Sequence, residues 1–556
     1  MVSNSDRNTD LLIVIPPLGM KNTVYPPYGS MYIASALRDS GYVPEILDID
    51  TERITIKEII ERIKEIDPKY IGISGIIATS YIYVKELSRE IRRAFPHKTQ
   101  ILGGGLSSAA LVVLNNSDID IVVCGEGDVT IVELIKCLEG KGDLKSIAGI
   151  CYRKDSKPVF TDKRQLIINL DKLPYPAFDL VNMDKYLPDG VGLIRKFGMD
   201  ISDERIYSPS RKKRMITIPT SRGCFNECSF CFRAYKGLRV HSIKYIFDFI
   251  EYCIEKFNVG FFTFGDECFA PSKKRNWEFI EEYKRRKLDI IFRILGMRVD
   301  TVDRDILHGF KEIGCWMIEY GFESGSQRML NIINKRVTVK QNVDAALWTK
   351  EAGIYTSPAL VLGMPGETDE SIEETIEFLK SLNFNFKQYQ WKYAIPIPGS
   401  QLYKYAKLIG IIKDEDKYLS SLAGDAGDGN FSVNLTDLPD RVVAGWAGRL
   451  KNSLDMDYLD RNRKKKNRLP ARFAHFIMLV RLNYRKGTLL TRLKKRASYF
   501  MRSPLKPGRM PGTGRIDRQF RKDKSIDSML RGTCSGGDQG ISLKKINRRL
   551  IEEKRS

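Results

Sequence analysis

The sequence predicts an α/β chain made of two successive parallel β-sheet units and a basic helical end. Three observations carry this. Short apolar runs alternate with helical patterns over residues 11–127, six further strand–helix units follow between 215 and 399, and the charge balance breaks at Arg461. The first alternation predicts a doubly wound parallel sheet with helices on both faces. The second predicts a partial (β/α)6 barrel. The expected divisions are a tail over 1–10, a first domain over 11–150, a connecting stretch over 151–205, a barrel over 206–425, a helical region over 426–500 and a weakly ordered basic tail over 501–556.

In the first unit the strand candidates are LLIVIPP (11–17), VPEILDID (43–50), KYIGISG (69–75), TQILGGG (99–105) and IDIVVCGEG (119–127). Ile56, Ile59, Ile60, Ile63 and Ile66 fall at the spacing of one helix face. Open parallel sheets bind ligands outside the strand C-ends. Small residues gather there: Gly72 to Gly75, Gly103–Gly104–Gly105 and Gly125–Glu126–Gly127. In the second unit the strands are MITIPTSRG (215–223), GFFTFGDE (260–267), DIIFRILGMR (289–298), CWMIEYGFESG (315–325), YTSPALVLGMPG (355–366) and QYQWKYAIPIPG (388–399). Barrel chemistry sits on the loops that follow such strands.

The net charge is +22, but Arg461–Ser556 holds 29 Lys and Arg against 6 Asp and Glu, leaving 62 basic and 63 acidic residues before it. A neutral body thus carries a basic end. A helix is expected from about Pro439 to Tyr458, then an amphipathic basic segment with Phe473, Phe476, Ile477 and Val480 on one face. That segment is read first as packing on the body and second as contact with an anionic membrane surface. Nucleic acid ranks last, because no nucleic-acid-binding fold is visible. The polar N-terminus has no signal-peptide core, and no run of 18 uncharged apolar residues marks a spanning helix. Ten cysteines without export signals point to reduced thiols or metal ligands. The expected location is the cytoplasm, with the basic end able to lie at a membrane.

The sharpest chemical signal is SRGCFNECSFCF, with Cys224, Cys228 and Cys231 spaced CxxxCxxC directly after the first barrel strand. Three thiolates on one loop can hold zinc or an iron–sulfur cluster. Structural zinc takes four ligands, and only His241 and Cys253 lie near enough in sequence to complete a set. Three cysteines suit a four-iron cluster with one iron open. A zinc knuckle and buried free thiols are the alternatives. Cys124, Cys137, Cys151, Cys253, Cys268, Cys315 and Cys534 form no second set of this kind.

The loop resembles the cluster motif of radical S-adenosylmethionine (SAM) enzymes, including Phe230 before the third cysteine. The resemblance extends through Gly265-Asp266-Glu267, Met297-Arg298, Gly321 to Gly325, Gly363 to Thr368 and Pro396 to Ser400 at successive strand ends. IPPLG (15–19), residues 25–50, ILGGG (101–105) and CGEGDVT (124–130) resemble the cobalamin-binding domain that precedes the barrel in one subgroup. It covers about 11–410. It implies a four-iron, four-sulfur cluster on Cys224, Cys228 and Cys231. It implies SAM contacts at Phe230, Asp266, Glu267, Arg298, Glu323 and Ser324. It implies cobalamin contacts at Pro17, Ser74, Gly75, Gly103, Gly104, Gly105, Gly125, Glu126 and Gly127. No histidine precedes His97 and no D-x-H-x-x-G motif occurs, so no protein imidazole is expected on cobalt.

The activity so implied is a cobalamin-dependent radical SAM methyltransferase acting on an unactivated carbon of a small-molecule or lipid substrate. An electron donor such as flavodoxin or ferredoxin would serve it. The alternatives are a cobalamin-binding oxidoreductase or cyclase without methyl transfer, a methylthiotransferase and a zinc module. The sequence names neither the substrate nor the residue that quenches or deprotonates the radical.

Overall fold

The computed structural model describes residues 9–19, 25–196, 204–208, 211–233, 237–384, 389–422 and 431–463. The first sheet has seven strands: β1 (Leu11–Ile15), β2 (Pro44–Asp48), β3 (Tyr70–Ser74), β4 (Thr99–Gly103), β5 (Ile121–Val123), β6 (Ile150–Lys154) and β7 (Lys157–Phe160), in the order β2-β1-β3-β4-β5-β6-β7. The pairings among β1 to β5 are parallel, and those of β6 and β7 antiparallel. Parallel strands are covered on both faces, so they read as unbroken apolar runs. In β1, Leu11 and Ile13 enter one core and Leu12 and Val14 the other. The helix Ile56–Ile66 begins with a capping box between Thr55 and Glu58 and buries Ile56, Ile59 and Ile63. The order reverses between β1 and β3, and the crevice outside the strand C-ends opens there.

The second sheet contains β8 (Arg214–Ile218), β11 (Val259–Gly265), β12 (Ile291–Met297), β13 (Cys315–Glu323), β14 (Tyr355–Leu362) and β15 (Gln390–Tyr393), all parallel, in the order β15-β14-β13-β12-β11-β8. β8 and β15 do not pair with each other, so the barrel is partial. A separate hairpin, β9 (Ser221–Cys224) with β10 (Gly237–Val240), rises from the end of β8. The outer face of the sheet packs on its helices through residues such as Phe262, Phe264, Phe292, Ile318 and Tyr320. The inner face begins with an apolar floor of Met215, Phe261, Ile291 and Met317, closed by Val191, Ile194 and Ile206.

Val191 and Ile194 come from the stretch that the sequence presents as a connection, and Ile206 follows directly after it. The helices Gly190–Lys196 and Glu204–Tyr207 are too short to show a period. The first sheet also continues into that stretch through β6 and β7. The expected C-terminal helix runs Asp440–Arg463 and is tied to the helix Asp369–Ser381 by Trp446 Nε1 donating to Asp369 at 2.9 Å. The basic segment from 464 onward, with the amphipathic face around Phe473 to Val480, lies outside the described residues. Among the described residues no helix is long and apolar enough to cross a membrane.

Candidate active site

The chain turns sharply between β8 and β9, and Asp266 at the end of β11 holds that turn. Its carboxylate accepts from Thr220 N and Ser221 N, both at 2.7 Å, and from Thr220 Oγ1 and Ser221 Oγ, both at 2.8 Å. Full burial pushes its pKa up to about 6 against these four bonds. Four donors nearly exhaust a carboxylate. Asp266, expected to receive the SAM ammonium, is here engaged in bracing the strand that carries Cys224. Its neighbour Glu267 is exposed and takes no hydrogen bond among the described residues.

Cys224 ends β9 opposite Gly237, whose φ is +85°. Cys224 is half-buried, Cys228 buried and Cys231 exposed, and all three are free thiols. A hydrogen bond from Cys268 lowers the pKa of Cys224 to about 6, helped by the Asn226 N–H and the charges of Arg298 and Lys335, against the cost of burial. The thiolate is the metal-binding form. Asn226 Nδ2 donates to Cys228 Sγ at 3.1 Å and to the Lys335 carbonyl at 3.0 Å. Among the described residues no three His, Cys, Asp or Glu side chains converge tightly enough to hold a single metal ion. His241, which could have completed a zinc set, is engaged elsewhere, bonded through Nδ1 to Asp171 at 2.9 Å.

Around this loop the strand ends place a charged rim. Glu323, at the end of β13 with φ +62°, pairs with Lys335 Nζ at 2.8 Å. Gly321 lies directly beneath, where an added Cβ would collide with the Glu323 carboxylate. Burial presses the Lys335 pKa down, but Glu323 and Cys228 outweigh it and hold it above the usual value. Sequence reasoning missed Lys335. It lies in no motif, and the only local signs are the left-handed residues Asn334 and Arg336 on either side. Arg298 gives two bonds to Asp300, at 2.8 and 2.7 Å, and its guanidinium lies 4.9 Å over the Phe225 ring in the cysteine loop. Its fork is thus spent on Asp300, and it braces the loop through Phe225. Ser324 departs from expectation as well. It is 3% exposed, bonded to Thr375 Oγ1 at 3.2 Å and to Ser326 N at 3.1 Å, and faces the outer helix. Phe230 is half-buried against the barrel core.

In the first sheet Pro17 follows β1, Ser74 and Gly75 end and follow β3, and Gly103 to Gly105 end and follow β4. Leu106 N donates to the Gly75 carbonyl at 2.8 Å, and Cβ atoms added at Gly104 or Gly105 would collide with the Gly75 or Ile76 carbonyl. These glycines let two loops lie against each other. Gly127 likewise admits Ile33. Gly103 and Gly125 differ: nothing lies within 4 Å of their missing Cβ. That open edge fits an approaching corrin. His97 is exposed in the turn before β4, at the opposite edge of the sheet.

Glu126, expected at the cobalamin, is engaged by protein partners in this domain. It is 4% exposed and accepts from Arg239 Nη1 at 2.8 Å, Arg222 Nη1 at 3.0 Å and Ile167 N at 2.8 Å. Arg222 also grips Asp128 at 2.9 and 3.1 Å. A buried charge cluster thus ties the loop after β5 to the hairpin that carries Cys224. Phe232 makes a second tie, its ring lying 3.4 Å from a Cβ position at Gly105 and 3.0 Å from one at Gly399.

Residues 218–379 match the radical SAM superfamily model, and residues 22–135 match the B12 binding domain model. The chain is 31% identical over 407 residues to an uncharacterized methyltransferase of Pyrococcus horikoshii, covering 71% of this chain and 83% of that one. The chain belongs to the radical SAM superfamily. As a radical SAM enzyme with a B12 binding domain it uses a 4Fe-4S cluster, SAM and cobalamin. This radical SAM chain is also 28% identical over 460 residues to an anaerobic magnesium-protoporphyrin IX monomethyl ester cyclase of Rubrivivax gelatinosus, covering 79% and 77% of the two chains. Two solved structures share its fold. One is the radical SAM methyltransferase TsrM from Kitasatospora setae, solved with cobalamin and a 4Fe-4S cluster (TM-score 0.56, 16% identity, 72% of this chain and 76% of that one). The other is the cobalamin-dependent SAM radical enzyme OxsB (TM-score 0.55, 20% identity, 74% of this chain and 56% of that one).

Proposed function

We propose that the protein is a cobalamin-dependent methyltransferase that transfers a methyl group to an unactivated carbon. What supports this reading is the 31% identity to the methyltransferase of Pyrococcus horikoshii, together with the approach of Phe232, just after the third cysteine, to Gly105 of the first sheet. When bound, the cluster supplies the electron that cleaves SAM to a 5′-deoxyadenosyl radical, and cobalamin supplies the methyl group.

The residues have distinct tasks. Cys224, Cys228 and Cys231 would hold the cluster as thiolates, with Asn226 and Cys268 donating to sulfur. Glu267, which takes no hydrogen bond among the described residues, would accept the SAM ammonium, and Lys335 beside Glu323 would meet its carboxylate. Phe230 would pack against the adenine. Gly103 and Gly125 would admit the corrin edge, with Pro17 and Ser74 beside it. No histidine at that edge would ligate cobalt. A redox partner such as flavodoxin or ferredoxin would deliver the electron.

The similarity to the magnesium-protoporphyrin cyclase supports a second reading, radical chemistry without methyl transfer. Anaerobic reconstitution with iron, sulfide and hydroxocobalamin, then mass spectrometry of the SAM products under a strong reductant, separates the two. Methyl transfer yields 5′-deoxyadenosine and S-adenosylhomocysteine together. Deoxyadenosine alone favours the cyclase-type reading, and neither product refutes both. Replacing the three cysteines with Ala should remove cluster absorbance and deoxyadenosine while leaving cobalamin bound.

A further inference from the structure

Above the apolar floor, the inner face of the barrel turns polar. Arg293 on β12 is 6% exposed and lies beside Thr263 of β11, to which its Nε donates at 2.8 Å. Its two terminal nitrogens make no hydrogen bond, and no carboxylate lies within 4.0 Å of them, among the described residues. Its sequence neighbours Phe292 and Ile294 point into the outer core, so Arg293 points into the barrel. Glu319 on β13 is half-buried, shares the inner face with Gly321 and Glu323, and also lacks a hydrogen bond among the described residues. Thr217 Oγ1, in the same layer of β8, is buried without a partner. Gln390 and Lys392 on the edge strand β15 are exposed, so the polar layer opens to solvent on the unclosed side.

The residue is 6% exposed and its terminal N–H groups have no protein partner among the described residues, an arrangement that costs stability. Burial presses its pKa below the usual guanidinium value, with Tyr25 and Glu319 opposing the shift. A chain that needed only structure there would place a methionine or leucine. Arg293 and Glu319 do not form an ion pair, although each acts electrostatically on the other and Lys392 acts on Glu319 as well, so a cation and an acceptor share the inner face without meeting.

We infer that Arg293 receives an anionic oxygen group of the substrate, a carboxylate or a phosphate-type group, and that Glu319 accepts from an amine or hydroxyl next to it. The inference rests on the proposed function in placing the substrate inside this barrel. It makes the deep end of the substrate polar and charged. It also orients the molecule, since the anionic end lies deep and the carbon to be attacked lies toward the cysteine loop.

The test needs no turnover, so it stands apart from the methyl-transfer reading. The melting temperature of the full chain is followed with acetate, methylphosphonate, glycolate and aminomethylphosphonate at constant ionic strength. The expected result is a saturable rise for the wild type, larger for the two probes that carry a donor. A preference for the phosphonates or for the carboxylates identifies the anion. Arg293→Met should lose the response, with apparent affinity lower by roughly tenfold or more, and should melt no lower than wild type without probe. Arg293→Lys should retain a weaker response. Glu319→Gln should lose the preference for donor-bearing probes alone. A wild type that responds to none of them, an Arg293→Met protein that responds unchanged, or one that melts lower without probe would each overturn the inference.

Discussion

Replacing Arg222 with Met tests whether the two sheets are held together by buried charge. Asp128 is 6% exposed, and its side chain is bonded by Arg222 alone among the described residues, at 2.9 and 3.1 Å. Glu126 would keep Arg239 and Ile167 N, so its loss is small. Breaking a buried pair by removing one partner costs about 3–5 kcal/mol, because the other charge stays buried. Asp128 sits in the first turn of the helix Gly127–Lys136, which returns about 0.3–1 kcal/mol. The net expectation is about 3 kcal/mol, read as a lower urea midpoint. Asp128→Asn in the same background should recover most of it, giving a coupling of about 2 kcal/mol in the double-mutant cycle. Arg222 lies two residues before Cys224, so bound iron per chain should fall in Arg222→Met and recover in the double variant. A cost below about 1 kcal/mol, or strictly additive variants, would show that Arg222, Glu126 and Asp128 do not form a desolvated clasp.

Three further outcomes follow from the geometry. Glu367 is 3% exposed, accepts from Gly363 N at 2.5 Å and Met364 N at 3.2 Å, and is pushed by burial from 4.5 up to about 7. Between those values the folded state binds more protons than the unfolded chain, so this group's contribution is fully present below the unfolded pKa and is lost as pH rises through the folded one. Wild type should lose up to about 3 kcal/mol from this group between pH 4.5 and pH 8, and Glu367→Gln should flatten that slope in urea titrations at the two pH values. Gly105→Ala should cost about 1–3 kcal/mol, because the new Cβ meets the Ile76 carbonyl. Gly103→Ala, with nothing within 4 Å, should leave the melting temperature unchanged and weaken hydroxocobalamin binding, measured by absorbance titration.

The sequence by itself determined the strands of the two parallel sheets and the loop of three cysteines. Apolar runs such as LLIVI and VGFFTFG must be covered on both faces, so they announce parallel strands before any partner is known. The spacing of Cys224, Cys228 and Cys231 announces a metal-binding loop, because proximity in sequence is proximity in space there. Glycines at strand ends marked the crevice of the first sheet for the same reason.

What tertiary structure decided was which neighbours are free. Asp266 and Glu267 are adjacent, yet one is consumed by Thr220 and Ser221 and the other is open. Glu323 and Ser324 are adjacent, yet the chain leaves β13 with a left-handed turn at Glu323 and the serine bonds to Thr375 of the outer helix. Glu126 reads as a loop acid, but partners about a hundred residues away take both its oxygens. Lys335 and Arg293 carry no local signal, because their meaning lies in what surrounds them: a glutamate and a thiolate for one, and a nearly empty hydrogen-bonding shell for the other. Hydrogen-bond capacity is set by the three-dimensional neighbourhood, and a linear pattern records the donors and acceptors without saying which are already spent.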